Sequence, residues 1–538
     1  MIKMATNTKP KENEITDKEK AIAEKWRDFI NSKFDKNRLM KAMLNYAFYH
    51  GDSDELAIAC LKYSRIDIPT NILENLNTKN YFWVVASSEV GVKKVHSGIT
   101  KAIIKTLVSV LGKPENSITK EVINDFGEVD EEADLNAEKE LESIIKKNKL
   151  MKIVKEQQQP LNWVMGEGAF VINVDTSKYD YPRVEYVDAR NVAFEREGND
   201  VTKVYIRQYF NHEHDSHMLL QERGVMDVDV TDNDNNKVVK KASYVKYHLF
   251  KLTNVDSREI AQEVPLDTIA ETKHLKDCAF VGLESILAIP CVYDFDVIQQ
   301  HGTGIFEDRL DLIDALDETC SQANTAVRVS TPIDYMSEDF LEHDADGNPI
   351  KPNKYDRKIV TTKSGINSVG ENGSGINPSN PSTDFSGYTA EQLSLVERII
   401  TGIISPSTLG INVSKVDNGE TQREKEKITM FTRDALIESQ TDILQQLYEL
   451  LLQVNDFINN REVGKYNIAI NYPEYGNPTF ESKLQNLYPA FASGAMSPKR
   501  YVKELWGDSL TEDEAEEEIA YLEAQKQLPT DLELPPEI

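Results

Sequence analysis

Between residues 393 and 458 the chain reads as two helices separated by a short break, and this interruption constrains the fold more than any other feature. The first helix places Val396, Ile399, Ile400, Ile403 and Ile404 at helical spacing, then stops at Pro406. Proline lacks a backbone donor and pushes the preceding Ser405 out of helical geometry. The break runs on through Gly410, Asn412 and Lys415 to Gly419. The second helix starts near Gly419 and repeats apolar residues seven apart at Met430, Ile437, Leu444, Leu451 and Ile458. At 1.5 Å per residue it spans roughly 55–60 Å, more than the width of a small domain, and so reads as an architectural strut.

A chain of 538 residues has room for three or four structural units. Its 61 Lys and Arg against 90 Asp and Glu give a net charge of −29. Such a surface repels phosphate backbones, which excludes most proteins that grip nucleic acid and fits one that nucleic acid slides past. The four cysteines, Cys60, Cys278, Cys291 and Cys320, show no C-x-x-C spacing and read as reduced thiols. Residues 1–25 are rich in Lys and Glu without an apolar run, so no secretory leader is expected. The most apolar window, residues 278–295, contains Glu284, Pro290 and Asp294 and predicts buried core, with no membrane span.

Along the chain, a charged arm over residues 1–30 leads to a helix ending in Tyr46-Ala47-Phe48-Tyr49-His50-Gly51. Residues 95–111 predict an amphipathic helix closed by Gly112-Lys113-Pro114. An acidic linker over 127–134 then leads into a helix reaching about Glu156. From Gly166 to Leu252 short alternating segments predict strands, with a hairpin tip at 231–237. Gly302-Thr303-Gly304 precedes a helix with Phe306, Ile313, Cys320 and Val327 seven apart, Leu310, Leu316 and Ala323 between them, and acidic residues on its other faces. Past Pro332 comes a small module with a turn at 346–349, a basic strand at 354–360 and a Gly/Asn/Ser/Pro stretch at 364–381. After the interrupted helices, a strand at 467–471 leads to a helical tail with an acidic run at 512–518.

Few residues point to catalysis. His212, His214 and His217 lie close enough in sequence to converge on a metal ion, but they fall in an expected loop without the H-E-x-x-H spacing of a helical site. Asp232, Asp234 and Asn236 open like a calcium loop, yet Lys237 and Ser243 stand where glycine and a bidentate Glu are needed. No phosphate loop, nucleophile elbow or dinucleotide fingerprint is present. The expectation is a non-enzyme with no cofactor and no metal.

The order of these parts resembles the portal proteins of tailed bacteriophages, most closely the siphophage type from Gram-positive hosts. The resemblance covers about residues 44–521. It is carried by the aromatic cluster before Gly51, by Leu111-Gly112-Lys113-Pro114, and by Val164-Met165-Gly166-Glu167-Gly168-Ala169-Phe170 followed by Val184-Glu185-Tyr186-Val187-Asp188. Gly304-Ile305-Phe306-Glu307-Asp308 and Ile404-Ser405-Pro406-Ser407-Thr408-Leu409-Gly410 before Gly419-Glu420-Thr421-Gln422-Arg423 complete it.

The resemblance implies an α+β subunit with an α/β wing, a two-helix stem, a small α/β clip, a long spine helix and a helical crown, assembled as a ring generally of twelve. The arm would be residues 1–30, the wing 31–300, the first stem helix 301–330, the clip 331–385 and the second stem helix 386–404. The tunnel loop would be 405–419, the long helix and wing return 420–465, and the last wing strand with the crown 466–538. The implied function is a channel at one capsid vertex for packaging and ejecting double-stranded DNA. Implied partners are further copies of the chain, terminase, a head-completion adaptor, and major capsid and scaffolding proteins. The protein would be assembled in the host cytoplasm and reside in the virion.

Within that frame the seven-residue stripe of the first stem helix suits packing in a ring. Asp311, Asp314 and Glu318, three and four residues apart, would share a face towards DNA, the plain alternative being a solvated helix face. Asn412, Val413, Ser414, Lys415 and Val416 would line the constriction, with Lys415 either touching phosphates or simply solvated. Lys351, Lys354, Arg357 and Lys358 stand out in so acidic a chain and would contact partners at the clip. The alternatives are an oligomeric capsid-associated scaffold without a conduit, or a metal-dependent enzyme using the histidines.

Overall fold

The computed structural model describes residues 17–64, 81–85, 91–123, 129–176, 178–198, 200–211, 215–231, 237–253, 259–330, 333–337, 343–347, 358–362, 376–379, 384–411, 426–473, 484, 487–489, 491, 496–506 and 518–522. The chain opens with α1 (Asp17–Lys33), α2 (Lys36–His50) and α3 (Ser53–Ser64). The Asp35 carboxylate caps α2 by accepting from the amides of Asn37 and Arg38, and Gly51 ends it at φ +79°. The expected boundary at residue 30 falls inside α1. That helix instead docks Ala23 and Ile30 onto strand residues such as Tyr205, Met218 and Phe250, and Trp26 Nε1 donates to Glu263 at 3.1 Å. A 3-10 turn (Phe82–Val84) and α4 (Ile99–Leu111) complete the first helical group, with Ile103, Ile104, Leu107 and Leu111 buried on one side of α4.

Strands β1 (Glu115–Ile123) and β2 (Val129–Ala133) form an antiparallel pair, followed by α5 (Leu135–Asn148) and α6 (Leu150–Ile153). A π-helical turn (Val154–Gln158) then passes into α7 (Gln159–Met165). Next come β3 (Glu167–Asn173), β4 (Arg183–Asp188), β5 (Val192–Glu197), β6 (Asp200–Asn211), β7 (Ser216–Thr231), β8 (Lys237–Leu252), β9 (Ile260–Val264), β10 (Cys278–Val281) and β11 (Ala288–Val292). The six-stranded sheet runs β10-β8-β7-β6-β5 with β9 on β8, and a smaller sheet runs β11-β3-β4. Pairing of Thr231 with Lys237 bears out the hairpin, whose tip lies outside the described residues. The short hairpin β12 (Phe295–Asp296) and β13 (His301–Gly302) closes this region.

Helix α8 (Leu310–Val329) leads to β14 (Ile333–Ser337), β15 (Lys358–Thr362) and β16 (Ile376–Ser379), which form a sheet of order β15-β14-β16 with β14 and β15 parallel. Helix α9 (Phe385–Ile400) returns and packs on α8. A 3-10 turn (Pro406–Leu409) precedes α10 (Lys427–Ile458), β17 (Asn467–Asn471) and α11 (Pro498–Trp506). The strand expected at 467–471 is present and pairs antiparallel with β1.

Two cores hold these parts together. One joins α2, α3, α4 and α7 to the near ends of α8 and α9 through Phe48, Leu107, Trp163, Phe306, Ile313 and Ile399. The other packs α5 and the β3 sheet against α10 through Leu141, Phe170, Leu444, Leu447 and Leu451. Full burial of each such side chain contributes about 1.5–3 kcal/mol, so α10 is a spine with sheet and helix on its flanks. Its 32 residues extend about 48 Å. The buried stripe does not follow Met430 and Ile437, which are only partly buried. It runs through Thr429, Arg433, Leu436, Gln440, Ile443 and Leu447, joined further along by Leu444 and Leu451 of the expected repeat. The polar members are satisfied: Arg433 donates to the carbonyls of Val110 and Pro473, and Gln440 exchanges amide hydrogen bonds with Gln158.

Candidate functional site

The near ends of α8 and α9 are anchored by backbone packed on backbone. Gly304 lies where an added Cβ would meet Val164 O at 2.2 Å, and at Gly302 it would meet Gly166 O at 2.0 Å. Gly166 itself has φ +86° and lies against the Gly302 carbonyl. The glycines of the Val164–Gly168 and Gly302–Gly304 motifs therefore let two chain segments cross in contact. The amides of Gly302 and Gly304 donate to the carboxylates of Glu167 and Glu307, each at 3.4 Å. Glu167 forms a buried ion pair with Arg38, which also donates to Val192 O at 2.9 Å. At the start of α8, Arg309 Nη1 donates to Ile399 O at 2.8 Å and to Thr401 O at 2.7 Å. A guanidinium thus caps the carbonyl end of α9, where positive charge is favoured.

The acidic residues of α8 divide between two environments. Asp311 and Glu318 face solvent. Asp314 does not share that face, contrary to the expectation from spacing: it is buried, and its Oδ2 accepts from the Phe82 amide at 2.7 Å. Burial, with Asp317 and Glu318 adding to it, pushes its carboxyl up from the ordinary 3.8 to about 7, against the opposing pull of the Phe82 amide and Lys94. One turn further, Asp317 is fully buried and accepts from Trp83 Nε1 at 3.1 Å, Ser97 N at 2.8 Å and His96 Nδ1 at 2.7 Å. Ser321 Oγ accepts from Val95 N at 2.8 Å. The i, i+3, i+7 series Asp314, Asp317 and Ser321 therefore binds the backbone around residues 82–97 to the helix. Sequence reading missed Asp317 and Ser321, although their spacing beside Ile313, Leu316 and Cys320 was the available signal.

Beyond these contacts the helix pair leaves the core. Phe306, Leu310, Ile313 and Leu316 are buried, Cys320 is half-buried and Val327 is 54% exposed. On α9, Leu395, Ile399 and Ile400 are buried, whereas Phe385 and Leu393 are 45% and 48% exposed. Both helices are thus covered at the near end and bare at the end that carries the β14 sheet.

The break after α9 is also partly packed. Ile403, Ile404 and Ser405 are buried, and the Pro406–Leu409 turn sets Leu409 against the first core. Ser405 N donates to Thr429 Oγ1 at 2.9 Å, the Thr429 amide donates back to Ser405 Oγ, and the hydroxyls of Thr408 and Thr429 lie 2.8 Å apart. Ser405 and Thr408, expected to open a loop, are thus hydrogen-bonded to Thr429 in the first turn of α10.

Asn412, Val413, Ser414, Lys415 and Val416 lie outside the described residues, as do Lys351, Lys354 and Arg357. Lys358 opens β15 opposite Ile333. His212 and His214 lie outside too, while His217 is buried within β7 in register with Phe210 and Lys251. Among the described residues no group of three or more His, Cys, Asp or Glu side chains is placed to hold a metal ion. No described helix is long and apolar enough to cross a membrane.

Neither the protein-family models nor the curated proteins compared with the chain match it.

Proposed function

We propose that the chain is the subunit of a phage portal: a ring at one capsid vertex through which double-stranded DNA is packaged and ejected. The observation that carries this reading is the out-and-back helix pair α8 and α9, with a three-stranded sheet inserted at its far end and apolar residues bare along its outer half. A lone subunit gains nothing from exposing Val327, Phe385 and Leu393 on two projecting helices. Neighbouring copies around an axis would cover them. In this reading α8 and α9 are the stem, the β14 sheet is the core of the clip, α10 is the spine, and residues 412–416 form the constriction.

Charge fits the same role. Twelve copies of a −29 chain carry about −350, by multiplication of the monomer charge. A lining of that sign limits phosphate contacts, each of which adds counterion-release affinity and hence drag on moving DNA. Asp311 and Glu318 are the α8 carboxylates assigned to that lining; Asp314 is not. The clip, with Lys351, Lys354, Arg357 and Lys358, would dock terminase and then the head-completion adaptor. No catalytic step is assigned to the chain.

Negative-stain microscopy of the purified protein tests the proposal. Rings with an axial hole of roughly 20 Å or more, wide enough for a duplex, are expected. Closed shells, filaments or monomers at all concentrations overturn it, and shells in particular would favour a scaffold without a conduit.

A further inference from the structure

Two buried carboxylates one turn apart on α8 hold residues 81–85 and 91–97 against the helix, and they do so unequally. Asp317 accepts from Trp83 Nε1, His96 Nδ1 and Ser97 N and uses both oxygens. Asp314 accepts from the Phe82 amide through Oδ2, while its buried Oδ1 has no hydrogen-bond donor among the described residues. A buried anionic oxygen without a donor costs more than a neutral hydroxyl in its place. The pair is therefore most stable with its negative charge on Asp317 and a proton on Asp314. The groups facing Asp314 agree. On α8, Asp317 and Glu318 repel a second negative charge, and Asp311 lies one turn before Asp314. From α3 comes Cys60, its thiol pushed up by burial to about 12, and from the facing stretch Tyr81, its hydroxyl pushed up likewise; neither ionises near neutral pH. The facing cation is Lys94, whose ammonium donates to the carbonyls of Phe82 and Val85 and lies 4.6 Å from the Phe82 ring centre. It is thus tied to the 81–85 backbone, and its pull on Asp314 is weaker than the push of the two acids.

We infer that Asp314 and Asp317 form a proton-operated clasp: with one proton on the pair, residues 81–85 and 91–97 are held on α8, and loss of that proton releases them locally while the rest of the subunit stays folded. The inference stands apart from the portal reading. Release hands the Asp314 proton to solvent, lets water reach the bare oxygen and separates the two negative charges from the apolar wall that confines them. The direction follows from linkage. Opened, Asp314 returns towards its ordinary 3.8; closed, it lies at about 7. The hold is complete below the lower value, weakens about tenfold per unit of pH between the two, and levels off above the upper one. What the clasp controls is the reach of the first core along α8. Ile313 and Leu316 are buried beneath it, Ser321 takes the Val95 amide at its outer edge, and beyond that Val327 is exposed. Closed, the cover extends to Ser321; released, it ends near Ile313.

Hydrogen–deuterium exchange of the full chain, read by mass spectrometry near pH 5.5 and near pH 8 and corrected for the intrinsic pH dependence of exchange, is the test. Protection of peptides carrying Phe82, Val95 and Ser97 is expected to fall at least about tenfold between the two conditions, to a level below that of peptides from β7. Asp314→Asn keeps the acceptor for the Phe82 amide and is expected to show equal protection at both pH values. Should that variant not fold, Glu318→Gln takes its place: the side chain is exposed, makes none of the clasp's hydrogen bonds, and its loss removes a repulsion on Asp314, so the fall in protection must lessen. Equal protection of the parent at the two pH values overturns the clasp. So does release in step with β7, which marks unfolding of the whole subunit. A fall undiminished in these variants places the switch on another group, His96 first, and overturns the part given to Asp314.

Discussion

Asp314 and Arg223 show how single residues are tuned by what surrounds them. Asp314 occupies a setting that favours its neutral form, with its carboxyl pushed up to about 7. The sign of its pH effect follows from linkage: its favourable contribution is complete below the ordinary carboxylate range and is lost as pH rises to about 7. Asp314→Asn keeps the acceptor for the Phe82 amide and removes the charge. It should match the parent near pH 4.5 and exceed it near pH 8 by on the order of 2 kcal/mol, read from chemical denaturation at the two pH values; an equal effect at both would sink the assignment. Arg223 presents the opposite case, a fully buried cation in β7. Its guanidinium donates to Ile172 O at 2.7 Å, Leu287 O at 3.0 Å, Asn173 Oδ1 at 2.6 Å and Gln221 Oε1 at 2.9 Å. Arg223→Ala strands these acceptors and opens a cavity, and should cost about 3 kcal/mol or more in the urea midpoint. Arg223→Lys should recover only part of that, because an ammonium lacks the planar fork.

Among elements, the crossing of the segments at Gly166 and Gly302 is the least forgiving. Gly166→Ala adds a Cβ 2.4 Å from the Gly302 carbonyl oxygen at a left-handed φ of +86°. A destabilisation of about 3 kcal/mol or more is expected, seen as insoluble expression or a lowered melting temperature. Melting unchanged within a degree would show that the two segments can part. Element-level legibility in the sequence followed physical range. The α8 stripe was readable through Phe306, Leu310, Ile313 and Leu316 because the period of one helix suffices to report it. It failed at Val327, since nothing in a helix repeat says where its cover ends. For α10 the apolar repeat met the buried face at Leu444 and Leu451 but missed it in the first turns, where Met430 and Ile437 are only partly buried. That face opens with Thr429, Arg433 and Gln440, whose partners include Gln158, 282 positions earlier. The inward turn of Asp314 was hidden for the same reason, its donor being an amide 232 positions away. The strand at 467–471 was legible from simple alternation.

For the molecule as a whole, the proposed ring separates two demands that one chain must meet. The near ends of α8 and α9 are fixed to the subunit by Arg309, Asp314 and Asp317, whereas Val327, Phe385 and Leu393 on the rest of the pair are exposed. Deleting residues 412–416 should therefore leave ring assembly intact in mass photometry and reduce DNA packaging or retention in a particle assay; rings that fail to form would make that segment part of the assembly interface. The fastening of Ser405 to Thr429 has another implication, for how such a chain can change over time. Because Ser405 and Thr429 are already held side by side, lengthening the chain between them carries a small closure cost: each doubling of a closed loop costs only about 0.6 kcal/mol. Insertions, tags or fluorescent labels placed there meet little thermodynamic resistance. Over time, length can thus be added between Ser405 and Thr429 at small thermodynamic cost.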